Sequence, residues 1–206
     1  MKNGKRSKIL SAAVKIFAVK GYQYATVSDI AGEAGVSTGL IYSYFENKLD
    51  ILLSTIHTFW EQFNRLNQEK LKGLDSPFDK LYVLVENFEQ LLVKDKNALY
   101  QGKVLHEALP HIFMIKNKDL QKKRHEIIIH NSTLVKTIDE IMAEGQEKGL
   151  FDRSLKPAVL RQVLFGTMER IIYGLFFQVY SNEERGYDAD DVHQALVRMI
   201  EKFVRK

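Results

Sequence analysis

By residue type, the groups best suited to chemistry are histidines and carboxylates, and the segment from His125 to His130 reads His-Glu-Ile-Ile-Ile-His. A helical zinc hydrolase needs two imidazoles four residues apart, sharing one face, with the glutamate as base. Five residues turn the second ring by roughly 140° around a helix, so these two do not face one metal. Glu126 and His130 have the four-residue spacing, and His106 and His111 stand upstream, which keeps a metal-dependent helical enzyme as the weaker alternative. Partly exposed histidines are the simpler reading. No glycine-rich phosphate loop, nucleophile elbow or catalytic triad is visible, and the absence of cysteine removes disulfides and thiolate metal sites. The expectation is a chain that is not an enzyme and holds no metal or cofactor.

A second spacing points to recognition. Thr26 with Asp29 reads as a capping-box variant opening a short helix with Val27, Ile30, Ala31 and Ala34 inward, closed by Gly35. Ser37 caps the next helix almost at once, from Thr38 to about Phe45. Two helices joined by about three residues have the connection of a helix-turn-helix. Ala31 is small where they cross, Gly35 serves the turn, and Val36 and Ile41 fill the space between.

The elements that must position this motif are also helices. The chain has 206 residues, 45% hydrophobic and 11% aromatic, enough to bury a substantial core, and its few prolines are Pro77, Pro110 and Pro157. A first helix is expected from about Arg6 to Lys20 and a fourth from Asn47 to about Lys72. Ser76, Pro77 and Asp79 open a fifth that ends near Lys94. A sixth is expected from about Ala98 to Leu109, stopped by Pro110. The seventh, from about Lys118 to Lys148, would span roughly 45 Å unless kinked. The eighth runs from Pro157 to about Tyr180, so apolar around its circumference that nearly every side must be covered. Asp188 with Asp191 starts a ninth. The predicted fold is all-α, and no run reaches the ~18 apolar residues of a membrane span. The charged start does not read as a secretory signal, so the cytoplasm is the default location.

Charge is uneven. The net charge is +4, and seven basic residues face three acidic ones between Met1 and Lys48, leaving 23 of each sign in the remainder. A basic head on a neutral body suits a polyanion-binding module joined to a second part.

The stretch from Ala13 to Leu52, above all "TVSDIAGEAGVSTGLIYSYFENKLDIL", resembles the DNA-binding domain of the TetR family of bacterial repressors. The resemblance implies a three-helix head, residues 1–47, and a six-helix ligand-binding and dimerisation body, residues 48–206. It also implies a homodimer on near-palindromic double-stranded operator DNA, released by a small ligand. By position, Thr38, Gly39, Leu40 and Tyr42 would face base edges in the major groove, with Leu40 against a thymine methyl. Tyr42, Tyr44 and Lys48 would reach phosphates, with Thr26 and Ser28 adding hydroxyls near a helix N-terminus. Thr26, Ser28 and Ser37 are equally caps, and Tyr44 could pack on the first helix. Glu46 stands where the family often has proline, and Ser43 and Tyr44 replace frequent basic or imidazole groups. Lys2, Lys5, Arg6 and Lys8 are left to supply charge from a flexible arm.

A ligand-responsive body needs inward aromatic and polar groups beyond those of a plain helical bundle, the alternative without a ligand. Candidates on the fourth to sixth helices are Trp60, Phe63, Phe88, Leu92, Tyr100 and Glu107, followed by Phe113. Ile128, Asn131, Phe165, Met168, Glu169, Tyr173 and Phe176 are those of the seventh and eighth. Each apolar one also reads as core. The segment "LRQVLFGTMERIIYGLF" and the seventh helix are loosely similar to TetR-family regulators of fatty-acid degradation, which implies a hydrophobic inducer such as a fatty acyl-CoA. Lys103, Arg124 or Arg161 would receive its anionic end. The competing guest is a lipophilic cation held by Glu107 or Glu169 against Trp60 and Tyr100. The eighth and ninth helices are expected to form the dimer, with Gly166 and Gly174 allowing close backbone approach.

Overall fold

The computed structural model describes residues 2–113, 120–181 and 186–204, and these form nine α-helices. They are α1 (Lys2–Lys20), α2 (Val27–Ala34), α3 (Thr38–Tyr42), α4 (Lys48–Leu71), α5 (Pro77–Leu92), α6 (Lys96–Phe113), α7 (Gln121–Glu147), α8 (Pro157–Ser181) and α9 (Ala189–Val204).

The local signals act as their chemistry requires. Thr26 accepts the Asp29 amide while the Asp29 carboxylate accepts the Thr26 amide, a complete capping box. Gly35 takes the left-handed conformation, φ 59°, that ends α2 without the Cβ clash of other residues. Ser37, Asn47 and Ser76 accept the amides of Leu40, Asp50 and Asp79 at the starts of α3, α4 and α5. Asp188 and Asp191 cap each other's amides before α9.

Two expectations are corrected. Helix α1 begins at Lys2, so the basic N-terminus is helical rather than a flexible arm, and the Arg6 guanidinium lies over the Phe45 ring at 5.5 Å. Helix α6 continues through Pro110 to Phe113. A proline this near a helix end forfeits one amide bond, and burial of Ile112 beyond it holds the last turn. Within one chain, Val159, Val163 and Phe177 of α8 stay 56%, 43% and 37% exposed. The beginning expected for the seventh helix, at Lys118, lies outside the described residues.

Ile9, Ala13 and Phe17 of α1 form the head's core with Ile30, Ala31, Ala34, Ile41 and Phe45. Helix α4, 24 residues and thus about 36 Å long, carries this core onward through Ile51, Leu52, Leu53 and Ile56 into the body. There α4 packs on α5 and α7, α6 on α8, and α1 of the head rests on α6.

Candidate DNA-reading surface and ligand cavity

The helix-turn-helix presents a polar face. Thr38 and Gly39 are exposed, Leu40 is half-buried, and Tyr42 is 57% exposed. Ile41 between them is fully buried, which fixes the rotation of α3 and hence the side these residues occupy. Ser28 and Thr26 are exposed at the start of α2. The Thr26 hydroxyl accepts the Asp29 amide at 3.1 Å, and a hydroxyl so placed still has its own O–H to offer a phosphate oxygen. Tyr44 is half-buried against the core, its ring 6.3 Å from Phe45.

Lys48 occupies a place that spacing does not reveal. Its ammonium donates to the carbonyls of Tyr22, Gln23 and Ala25 at 2.8, 3.2 and 2.8 Å, and it lies 4.6 Å from the centre of the Tyr22 ring. An ammonium has three N–H donors, and here each finds an acceptor in the turn between α1 and α2. On that turn Asp29 pairs with Lys20 at 2.6 Å, and the Lys20 ammonium, with the Thr26 hydroxyl and amide, lowers the Asp29 carboxyl to about 2.

In the body, an apolar cavity of about 280 Å³ lies among α4, α5, α6, α7 and α8. It brings together Trp60, Phe63, Phe88, Leu92 and Asn131. Phe59, Gly102, Leu105, Leu134, Val135, Ile138 and Ile172 complete the apolar wall, with His106, Arg161 and Gln162 as further polar groups. The Trp60 indole N–H is buried with no acceptor among the described residues, which leaves a desolvated donor beside the cavity. The Arg161 guanidinium is held by Asp139, both carboxylate oxygens lying 2.5 and 2.6 Å from one nitrogen.

The remaining ligand candidates go elsewhere. Tyr100 and Phe176 face each other at 6.0 Å, and neither lines the cavity. Tyr173 lies beside His106 and Phe177, Met168 is buried, and Ile128 is half-buried, all outside the lining. Glu107 pairs with Lys103 at 2.8 Å, and the Lys103 ammonium lies over Phe176 at 5.0 Å, so neither offers its charge to this cavity. Phe113, Phe165 and Glu169 have side chains outside the described residues. Phe59, Gly102 and Ile172 were not singled out by sequence. Gly102 carries a usable signal, since a Cβ there would meet Ile172 at 2.5 Å, and a glycine inside an apolar helix is a sign of such close approach.

The histidine segment is divided between faces. His125 is exposed, while His130 takes the Asn64 amide and stands edge-on to His57 at 5.2 Å. Glu126 lies 3.5 Å from His57 Nε2, and burial pushes the His57 imidazole below its ordinary pKa. Among the described residues no three histidine, aspartate or glutamate side chains are grouped to hold a metal ion. Nor is any described helix long and apolar enough to cross a membrane.

A helix-turn-helix head joined by one long helix to an all-α body defines a DNA-binding transcription regulator. Residues 9–55 match the model of bacterial regulatory proteins of the tetR family, and residues 57–199 match that of the C-terminal region of YsiA-like proteins. The chain belongs to the TetR family, and its likeness runs to the fatty-acid-degradation branch. It is 32% identical over 172 residues, 83% of each chain, to the fatty acid metabolism regulator protein of Bacillus subtilis. The crystal structure of FadR from Bacillus subtilis in complex with stearoyl-CoA aligns at a TM-score of 0.69, with 27% identity, over 95% of this chain and 97% of that one. The fatty acid degradation regulator FadR from Bacillus halodurans aligns at 0.69, also with 27% identity, over 95% and 94%.

Proposed function

We propose that this regulator is a repressor that holds near-palindromic operator DNA as a homodimer and leaves it on binding a long-chain fatty acyl-CoA. The observation that carries the ligand reading is the apolar cavity around Trp60, Phe63 and Phe88, set against α4, the helix that leads to the head. Its wall of aliphatic and aromatic side chains suits an alkyl chain, worth roughly 0.8 kcal/mol for each buried CH₂. The relative solved with stearoyl-CoA supports the same class. A lipophilic cation is disfavoured at Glu107, whose carboxylate Lys103 already neutralises at 2.8 Å.

On the DNA side, Thr38, Gly39, Leu40 and Tyr42 would approach base edges, and Thr26, Ser28 and Tyr42 would reach phosphates. Val159, Val163 and Phe177 are spaced by four and fourteen residues along α8 and so share a face, with Gly166 open beside them. A second copy through α8 and α9 would cover that face. Gly174 has a different part, since a Cβ there would meet the Tyr187 hydroxyl of the same chain at 2.4 Å.

Release requires the ligand to favour the non-operator conformation, by ~1–3 kcal/mol for a typical coupling. Titrating the protein–operator complex with acyl-CoAs of increasing chain length should release DNA more readily as the chain grows. Release by lipophilic cations and by no acyl chain would overturn the reading.

A further inference from the structure

The first turn of α4 is held from two sides by lysines whose contacts lie in different parts of the chain. Lys48 reaches toward the head, where its ammonium donates to the carbonyls of Tyr22, Gln23 and Ala25 in the turn before α2. Lys123, in the first turn of α7, reaches in from the body. Its ammonium donates to the Asp50 carboxylate and to the Ser54 hydroxyl, the latter at 3.0 Å.

Asp50 carries this contact to the helix-turn-helix. Its second carboxylate oxygen accepts the backbone amide of Glu46 at 3.0 Å, in the link that follows α3, and its own amide is held by the Asn47 side chain at 2.9 Å. One carboxylate therefore joins the link after α3 to an ammonium of the body. Among the described residues Asp50 is the one buried carboxylate, with 5% of its surface exposed. A charge so far out of water is tolerated only where its partners are fixed around it. Charge-assisted hydrogen bonds are directional, whereas the apolar packing that also joins α1 to α6 is not. Asp50 thus gives the link after α3 a direction relative to the body as well as a place beside it.

We propose that Lys123 is a positioning residue for DNA reading: through Asp50 it fixes the angle of the helix-turn-helix to the body, and so the separation of the two reading heads in a dimer. The proposal rests on the operator-binding dimer above and adds what sets its spacing. In a two-fold dimer the distance between heads must match the distance between half-sites. Lengthening the centre of an operator by one base pair moves one half-site by about 3.4 Å and turns it by roughly 35°. A head held at one angle rejects that operator, and a head free to turn accepts it.

The probes are the duplex that the full-length native protein selects from a random-sequence pool and the same duplex with one base pair inserted at its centre. Lys123→Met alone strands the Asp50 charge in the interior and threatens the fold, so it is combined with Asp50→Asn. The asparagine oxygen still accepts the Glu46 amide, and circular dichroism checks that the double variant is folded. By fluorescence anisotropy, the native protein should bind the lengthened duplex about tenfold more weakly than the selected one, and the double variant should bind the two within about threefold of each other. A merely structural loss weakens both duplexes by the same factor. An unchanged ratio in the variant would therefore overturn the role of Lys123 and leave the repressor reading intact. A native protein indifferent to the inserted base pair would also overturn it, since its heads would not be held at one angle. Selection of no duplex at all would overturn the repressor reading and this one together.

Discussion

The ammonium of Lys48 lies 2.8 Å from the carbonyl oxygen of Ala25, the residue that precedes the cap of α2. Lys48 opens α4, so this contact ties the helix along the apolar cavity to the turn that sets the first helix of the helix-turn-helix. Removing it leaves carbonyls of that turn without their charged donor, a loss of ~1–3 kcal/mol. Lys48→Met should lower the melting temperature and weaken operator binding with little change in the salt dependence of affinity. A salt slope reduced by about one unit would instead assign the ammonium to a phosphate.

Tyr42 is exposed on α3 and contributes nothing to the buried core. Tyr42→Ala should weaken operator binding by about tenfold or more while leaving thermal unfolding unchanged, measured by fluorescence anisotropy and calorimetry side by side. Unchanged affinity would remove Tyr42 from the interface.

The α8 face carrying Val159, Val163 and Phe177 is apolar and uncovered within one chain. Light scattering should find a dimer at micromolar concentration, and Val163→Glu should shift it to monomer by placing a charge where the second copy must pack. A monomeric native protein would sink the dimer proposal.

Gly145 in α7 faces the ring of Phe151, and a Cβ there would meet ring atoms at 2.0–2.5 Å. Alanine in place of a helical glycine ordinarily stabilises by about 1 kcal/mol. Here Phe151 is 1% exposed and packs on Phe78 at 4.8 Å, so the ring has nowhere to retreat and overpacking of about 1–3 kcal/mol outweighs the gain. Gly145→Ala should lower the melting temperature, whereas a rise would show that this contact yields.

Asp29 has its carboxyl lowered to about 2, first by the Lys20 ammonium and then by the Thr26 hydroxyl and amide. A depressed carboxyl favours the folded state above its unfolded value near pH ~4, and that contribution is lost as pH falls through the folded value. The stability difference between the native protein and Asp29→Asn should therefore be full above about pH 4 and shrink toward pH 2. A difference independent of pH over that interval would show that the charge of Asp29 contributes nothing.

Much of the head was legible because its signals are local. A capping box, a left-handed glycine and a serine cap act within four residues of one another, so Thr26, Asp29, Gly35 and Ser37 place α2 and α3 without reference to the rest of the chain. Lys48 is the exception, since its acceptors lie 23 to 26 residues back and nothing in the spacing points to them.

For the body, helical periodicity turns Trp60, Phe63, Phe88, Leu92 and Asn131 inward, and all five line the cavity. Periodicity does not say whether an inward residue meets empty space or another side chain. Tyr100 and Phe176 have the same inward pattern and meet each other, while Lys103 neutralises the Glu107 that a cationic guest would need. Packing between helices settles the difference, because it depends on how closely they cross: α6 and α8 approach at Gly102 and Ile172, and that approach sets what remains open beside Trp60. Local signals and periodicity account for most of the helices, for their caps and for the family of the head. The tertiary structure decided where the space lies, because a void belongs to several helices at once and is encoded in none of them alone.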